Sequence, residues 1–340
     1  MKLRIEVDTE SGIPVYKQLV QIINRLIDDQ EIREGDMLPS LNELSLELGL
    51  AKETVNKAYS ILRETGRIDS AHGKGFFVTN NKHKISVLLL IDRITTYKQV
   101  MLNEFTERIK EIADITIRLH NQDLDLFESF VKETAGLFDY YLVIPHFPLG
   151  AEARIIKSLK KIPNRKLILL DRKIDHFRGQ FGYIYQDIEN DVYDGLSEGI
   201  DRLREFRKLH VISMPDSLYA PIIERGVVRL CEQHGIAYSI HNRIDSSFIK
   251  PNEVYLIVNS QLDVELIELV RHATEKGYRI GKDIGIISYN ESPINEIILN
   301  GLSVLSTDFR QMGRLAAEMI ISNKPEKVKC TFGLIRRGTF

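Results

Sequence analysis

The chain has 340 residues, 43% hydrophobic and 28% charged, with a formal net charge of −2. That composition excludes a disordered chain and fits two or three folded domains. The N-terminal stretch MKLRIEVDTE lacks an apolar signal core, and no apolar run approaches the roughly 18 residues a membrane span needs, so a cytoplasmic location and no membrane partner are expected.

In chain order, residues 1–10 are expected to add a short strand to the sheet of the first domain. A helix is predicted from Pro14 to about Asp29, because Tyr16, Leu19, Val20, Ile23, Leu26 and Ile27 form one apolar stripe and proline suits a first turn. Glu31 to Met37 is a turn. Ser40 with Glu43 is a capping box behind the helix-excluding Pro39, so a second helix starts there, buries Leu41, Leu44 and Leu48, and ends at Gly49. A third helix from about Lys52 to Gly66 buries Val55, Ala58, Tyr59 and Leu62, spaced i, i+3, i+4, i+7. Its free face carries Lys52, Glu53, Asn56, Lys57 and Ser60, the polar and basic side chains that a helix needs to read a major groove. Ile68–Ser70 and Phe76–Val78 then flank a hairpin tip of Ala71, His72, Gly73, Lys74 and Gly75. Charge agrees with this reading. Residues 1–49 hold 5 Lys/Arg against 10 Asp/Glu, and residues 50–82 hold 6 against 3, so positive charge gathers on the third helix and the hairpin. The pattern is a winged helix-turn-helix.

Over Pro14 to Val78, the pieces PVYKQLVQII, EGDMLPS, ETVNKAYSIL and GKGFFV resemble the DNA-binding domain of the GntR (gluconate-repressor) family. The resemblance implies contacts to double-stranded DNA from Ser40, Asn42, Lys52, Glu53, Thr54, Asn56, Lys57, His72, Gly73, Lys74 and Gly75. Asn42 and Lys52 stand where the family usually has arginine, which alters a phosphate or base contact. The polar stretch Thr79 to Lys84 ends the domain. The expected division is 1–80 for DNA binding, 81–84 as linker and 85–340 for effector binding and dimerisation.

From Ile85 the pattern changes. ISVLLLI is a continuous apolar run, as in a strand buried on both faces of a parallel sheet. A helix from about Lys98, ITIRL, a helix from about Asp123, YYLVIP, a helix over Ala151–Lys161 and KLILLD follow, and the alternation indicates a doubly wound α/β unit. It restarts with a helical stretch Asp187–Phe206, KLHVIS, a helix Ser217–His234, AYSIH, VYLIV, a helix Asp263–Gly277 and DIGIIS. LSVLS, an amphipathic helix Phe309–Ser322 and TFGLIRRGTF end the chain. Two α/β units in succession suggest a hinged pair of lobes with a ligand at the strand C-termini between them. Cys231 and Cys330 are expected to be buried, reduced thiols, and no P-loop, G-x-S-x-G, H-E-x-x-H or paired-cysteine motif points to an enzyme, a metal or a cofactor.

LLDRKI, the lobe-opening Asp187, IIERGVVRL, KGYRIGKDIGIISYNE, TDFRQMG and LIRRGTF resemble the effector domain of the lactose-repressor family, itself similar to periplasmic sugar-binding proteins. The whole is similar to the arabinose-repressor type, a GntR head on a sugar-binding body. This resemblance places lobe 1 at about 85–181 and 291–322, and lobe 2 at about 182–290 and 323–340. It implies a sugar site formed by Asp92, Arg93, Thr96, His146, Phe147, Asp171 and Arg172 from lobe 1, with Tyr219, Arg225, Asn259 and Asn290 from lobe 2. Arg225 is expected to donate a guanidinium fork to hydroxyls, and Phe147 to offer an aromatic face. A homodimer on a palindromic operator is expected, its hold on DNA changed, by release or by tighter binding, when a monosaccharide (a pentose or deoxyhexose) or its phosphate binds. The alternatives are a GntR head on an enzymatic body or on a purely oligomerising one.

Overall fold

The computed structural model describes residues 5–11, 13–71, 75–79, 84–148, 150–174, 176–213, 218–258 and 264–340. The head comprises α1 (Val15–Asp28), α2 (Leu41–Leu48), α3 (Lys52–Glu64) and the antiparallel hairpin β1 (Ile68–Ala71) and β2 (Gly75–Val78). Its core joins Leu19, Ile23 and Leu26 of α1 to Leu44, Val55, Tyr59 and Leu62. The Tyr59 hydroxyl donates to Pro39 O at 2.9 Å, and its ring meets Phe76 edge-on at 4.8 Å, which locks α3 to the wing. The strand expected within residues 1–10 does not form over 5–10; Met37 bridges Phe77 instead, and Ile5 packs into the head core.

The body has two six-stranded sheets. The first comprises β3 (Ile85–Ile91), β4 (Ala113–Leu119), β5 (Tyr140–Val143), β6 (Leu167–Arg172), β7 (Gly182–Gln186) and β13 (Lys327–Lys329), in the order 13-7-6-5-3-4, all parallel. The second comprises β8 (Lys208–Ile212), β9 (Tyr238–His241), β10 (Glu253–Ile257), β11 (Ile284–Tyr289), β12 (Ser303–Thr307) and β14 (Phe332–Ile335), in the order 14-12-11-10-8-9, with only β14 antiparallel. Helices α4 (Thr96–Ile109), α5 (Leu124–Thr134), α6 (Glu152–Leu159) and α11 (Phe309–Ser322) cover the first sheet. Helices α7 (Ile188–Glu198), α8 (Ile200–Leu203), α9 (Ala220–His234) and α10 (Val264–Glu275) cover the second.

The chain crosses between lobes after β7, after β12 and after β13. Three stretches therefore lie on the other side of the expected boundaries: 182–186 and 327–329 are strands of lobe 1, and 303–307 is a strand of lobe 2. GYIYQ is short and mixed, and KVK has a single apolar position in three residues, so neither announced itself as a strand. Close helix packing holds each lobe together. A Cβ on Gly313 of α11 would sit 2.3 Å from Met101 O of α4, and one on Gly226 of α9 would sit 2.5 Å from Glu189 O of α7.

Candidate functional site

The capping box forms on α2. Ser40 Oγ accepts from the Glu43 N–H at 3.2 Å, and the Ser40 N–H donates to Glu43 Oε2 at 2.7 Å, which holds the Glu43 carboxyl below its usual range. Gly49 ends the helix at φ +64°. On α3, Lys52 and Glu53 are exposed, and Asn56 and Thr54 are half-buried; Asn42 of α2 is exposed as well. Lys57 is exposed, with its ammonium over the Tyr16 ring of α1 at 4.2 Å. Gly75 opens the second wing strand at φ +84°, a conformation that favours glycine. His72, Gly73 and Lys74 lie outside the described residues.

The second site is where the lobes meet. Asp92, at the end of β3, is fully buried, and Lys98, one turn into α4, donates to its Oδ1. His146 Nδ1 lies 3.1 Å from Asp92 Oδ2, at an angle that leaves neither atom in a well-formed hydrogen bond. Burial pushes the Asp92 carboxyl up, but the His146 imidazole and the Lys98 ammonium outweigh it and hold the group well below the carboxylate range. Tyr219, just before α9 in lobe 2, stacks on the His146 ring at 4.4 Å with planes 4° apart, and its hydroxyl is buried without a partner. Asp171, at φ +76° near the end of β6, accepts from Gln186 Nε2, and Gln186 Oε1 accepts from the Thr307 hydroxyl at 2.7 Å. Burial pushes the Asp171 carboxyl up against the pull of His146 and Lys98. Beside Thr307 a cavity of about 530 Å³ opens at the hinge, bordered by Glu291, Phe309 and Phe332.

The structure thus brings together Asp92, His146, Asp171 and Tyr219 of the expected residues. Asn290 ends β11 at φ +67°, with its Oδ1 buried and unpartnered. Arg172 borders the group, donating to Glu152 Oε1 at 2.8 Å and Phe147 O at 3.3 Å. Arg93 is exposed, 3.9 Å from Asp92 Oδ2, and Thr96 is exposed in the first turn of α4. Asn259 lies outside the described residues. Two expectations need correction. Phe147 is fully buried in the lobe 1 core, stacked on His120 at 4.5 Å, so it presents no face to the cleft; its side chain points the other way from that of His146. Arg225 is 58% exposed and bonds Glu189 Oε2 at 2.7 Å across α7 and α9, apart from the buried group.

Sequence reasoning missed Lys98, Gln186 and Thr307. Lys98 had a readable signal. It occupies the core stripe of α4 ahead of Met101, Leu102, Phe105 and Ile109, where a lysine is out of place unless a buried carboxylate awaits it. Among the described residues, no group of three or more His, Cys, Asp or Glu is arranged to hold a metal, and no helix is long and apolar enough to cross a membrane.

The pattern of the bacterial regulatory proteins, gntR family, matches residues 15–78, and that of a periplasmic binding protein-like domain matches residues 201–340. The HTH-type transcriptional repressor YtrA of Bacillus subtilis (strain 168) is 31% identical over 121 residues, which cover 32% of this chain and 92% of YtrA. The arabinose metabolism transcriptional repressor of Geobacillus stearothermophilus is 22% identical over 340 residues, covering 92% of each chain. Among solved structures, the trehalose repressor from Escherichia coli superposes with a TM-score of 0.60 at 12% identity, over 74% of this chain and 100% of that one. At that identity the likeness speaks for the fold alone.

Proposed function

The chain belongs to the gntR family of bacterial regulatory proteins, and on that premise we propose that it is a sequence-specific transcriptional repressor of carbohydrate utilisation whose hold on DNA is set by a small sugar between its lobes. One observation carries the sugar reading. The Tyr219 hydroxyl of lobe 2 is buried without a partner, and its ring stacks on His146 of lobe 1, which pairs with Asp92 at 3.1 Å. Buried polar atoms are almost always paired, and an orphaned hydroxyl beside a buried Asp–His pair suits the hydroxyls of a neutral sugar. The arabinose and trehalose repressors are named for sugars, which supports the same class. A pentose or deoxyhexose, or its phosphate, is the occupant proposed. The protein acts in the cytoplasm as a homodimer on a palindromic operator, because a two-fold protein matches a two-fold site.

Sugar binding favours whichever arrangement of the lobes it contacts better, and it shifts DNA affinity only by that difference. The test is a thermal-shift screen of monosaccharides, followed by a DNA titration with the hit. A binder at a hundredfold its Kd should add about 2.7 kcal/mol of stability. Asp92→Asn should abolish that gain. A panel with no binder, or a binder indifferent to Asp92→Asn, sinks the reading.

A further inference from the structure

We propose, resting on the cleft being the effector site, that helix α5 transmits the state of the cleft to the DNA-binding head through a latch at Lys17. Three sets of contacts place this helix between the two.

At the cleft end, the Asn121 N–H donates to Asp92 O at 2.9 Å, and the Asp123 N–H donates to His120 O at 2.7 Å, so the turn leading into α5 hangs on the backbone of Asp92. Asp123 caps the helix, accepting from the Asp125 and Leu126 N–H groups at 2.9 and 3.0 Å. The His120 ring lies between Phe147, the neighbour of His146, and Phe127 of α5, at 4.5 and 5.6 Å. Movement of Asp92 or His146 therefore bears on the first turn of the helix. Eleven residues at 1.5 Å each make a rod of about 16 Å, pinned to lobe 1 by buried Phe127 and Val131.

At the far end, Lys17 of the head is only 4% exposed. Its ammonium donates to Lys132 O at 3.2 Å and Glu133 O at 2.5 Å, the carbonyls of the last turn of α5, where the helix dipole favours a cation. One turn further along α1, the Gln21 side chain crosses Gly136 so closely that a Cβ there would meet Gln21 Nε2 at 1.7 Å.

Within the head, Tyr16, next to Lys17, lies under the ammonium of Lys57 on the recognition helix. A buried ammonium keeps its place only while its acceptors stay in register. A displacement of α5 of the order of an ångström breaks the latch and frees α1 and α3 together.

The test uses the full-length protein and hydrogen–deuterium exchange across Val15–Asp28 and Lys52–Glu64. Asp92→Asn perturbs the cleft directly and should raise exchange in the head at least fivefold. Lys17→Met, which cuts the latch, should raise it already, and Lys17→Met with Asp92→Asn should add nothing more. Gly136→Ala, which drives Gln21 out and strains a backbone held at φ +81°, should likewise raise exchange in the head. Additive effects in the double variant, or an unchanged head in Asp92→Asn while residues 120–124 loosen, overturn the latch. D-xylose, L-arabinose, D-ribose and L-fucose serve as probes of the cleft. A sugar that raises the melting temperature of the wild type should raise that of Lys17→Met equally but leave its head exchange unmoved. A panel with no binder defeats the sugar reading alone, and the exchange comparison still decides the latch.

Discussion

Lys98 and Asp92 form an ion pair with essentially no solvent access, 2% and 0% exposed at their side chains. Breaking such a pair strands the survivor, so Lys98→Met should destabilise the fold by about 3–5 kcal/mol. Urea denaturation checks it, and a loss under 1 kcal/mol contradicts the buried pair. His120 carries a second prediction. Burial pushes its imidazole down from 6.5 to about 4. Between those values the unfolded chain takes up a proton that the folded chain refuses. Its contribution is thus complete above pH 6.5 and fades as pH falls toward 4, by on the order of 3 kcal/mol. Asp171, raised by burial, acts with the opposite sign in part of that window, so the readout is the difference between wild type and His120→Phe across pH 4–7. Parallel curves would contradict it. Asp92, His146, Asp171 and Tyr219 were legible at this scale because each sits at an element end near the cleft. Phe147 was not, because one position along a chain reverses the side a residue faces.

Elements were the most legible part of the fold. The Ser40–Glu43 box and the 3.6-residue stripes of α1, α3 and α11 mark their helices in the sequence, because each stripe is the face its core buries. KVK was opaque for the opposite reason: β13 is a strand only because the edge of β7 offers it hydrogen bonds. Ser40→Ala should cost about 1 kcal/mol of head stability by freeing the Glu43 N–H, as seen in the melting of the head. On α3, Lys52→Ala should lower the slope of log affinity against log salt by about 0.9 if it neutralises one phosphate. Asn56→Ala should leave that slope alone and change the preferred base pair. Anisotropy titrations at several salt concentrations separate the two, and an unchanged slope for Lys52→Ala removes that residue from the backbone contacts.

For the whole molecule, sequence pattern orders elements along the chain but does not say which sheet each one joins. That is why 182–186, 303–307 and 327–329 fell in the wrong lobe. Those crossings also bear on how the protein is made. The head is one contiguous stretch with its own core and can form as soon as it emerges from the ribosome. Lobe 1 cannot finish then, because its edge at β7 waits for residues 327–329, and β12 of lobe 2 waits for 332–335. Throughout synthesis of the second lobe, β7 presents unpaired backbone groups to the crowded cell, the kind of edge that invites pairing with another chain. A stop codon after Ser322 would leave the head and the helices named above in place, yet it would strip the outer strand from one side of each sheet and take Phe332, Leu334 and Phe340 out of the lobe 2 core, so the product should be prone to aggregation.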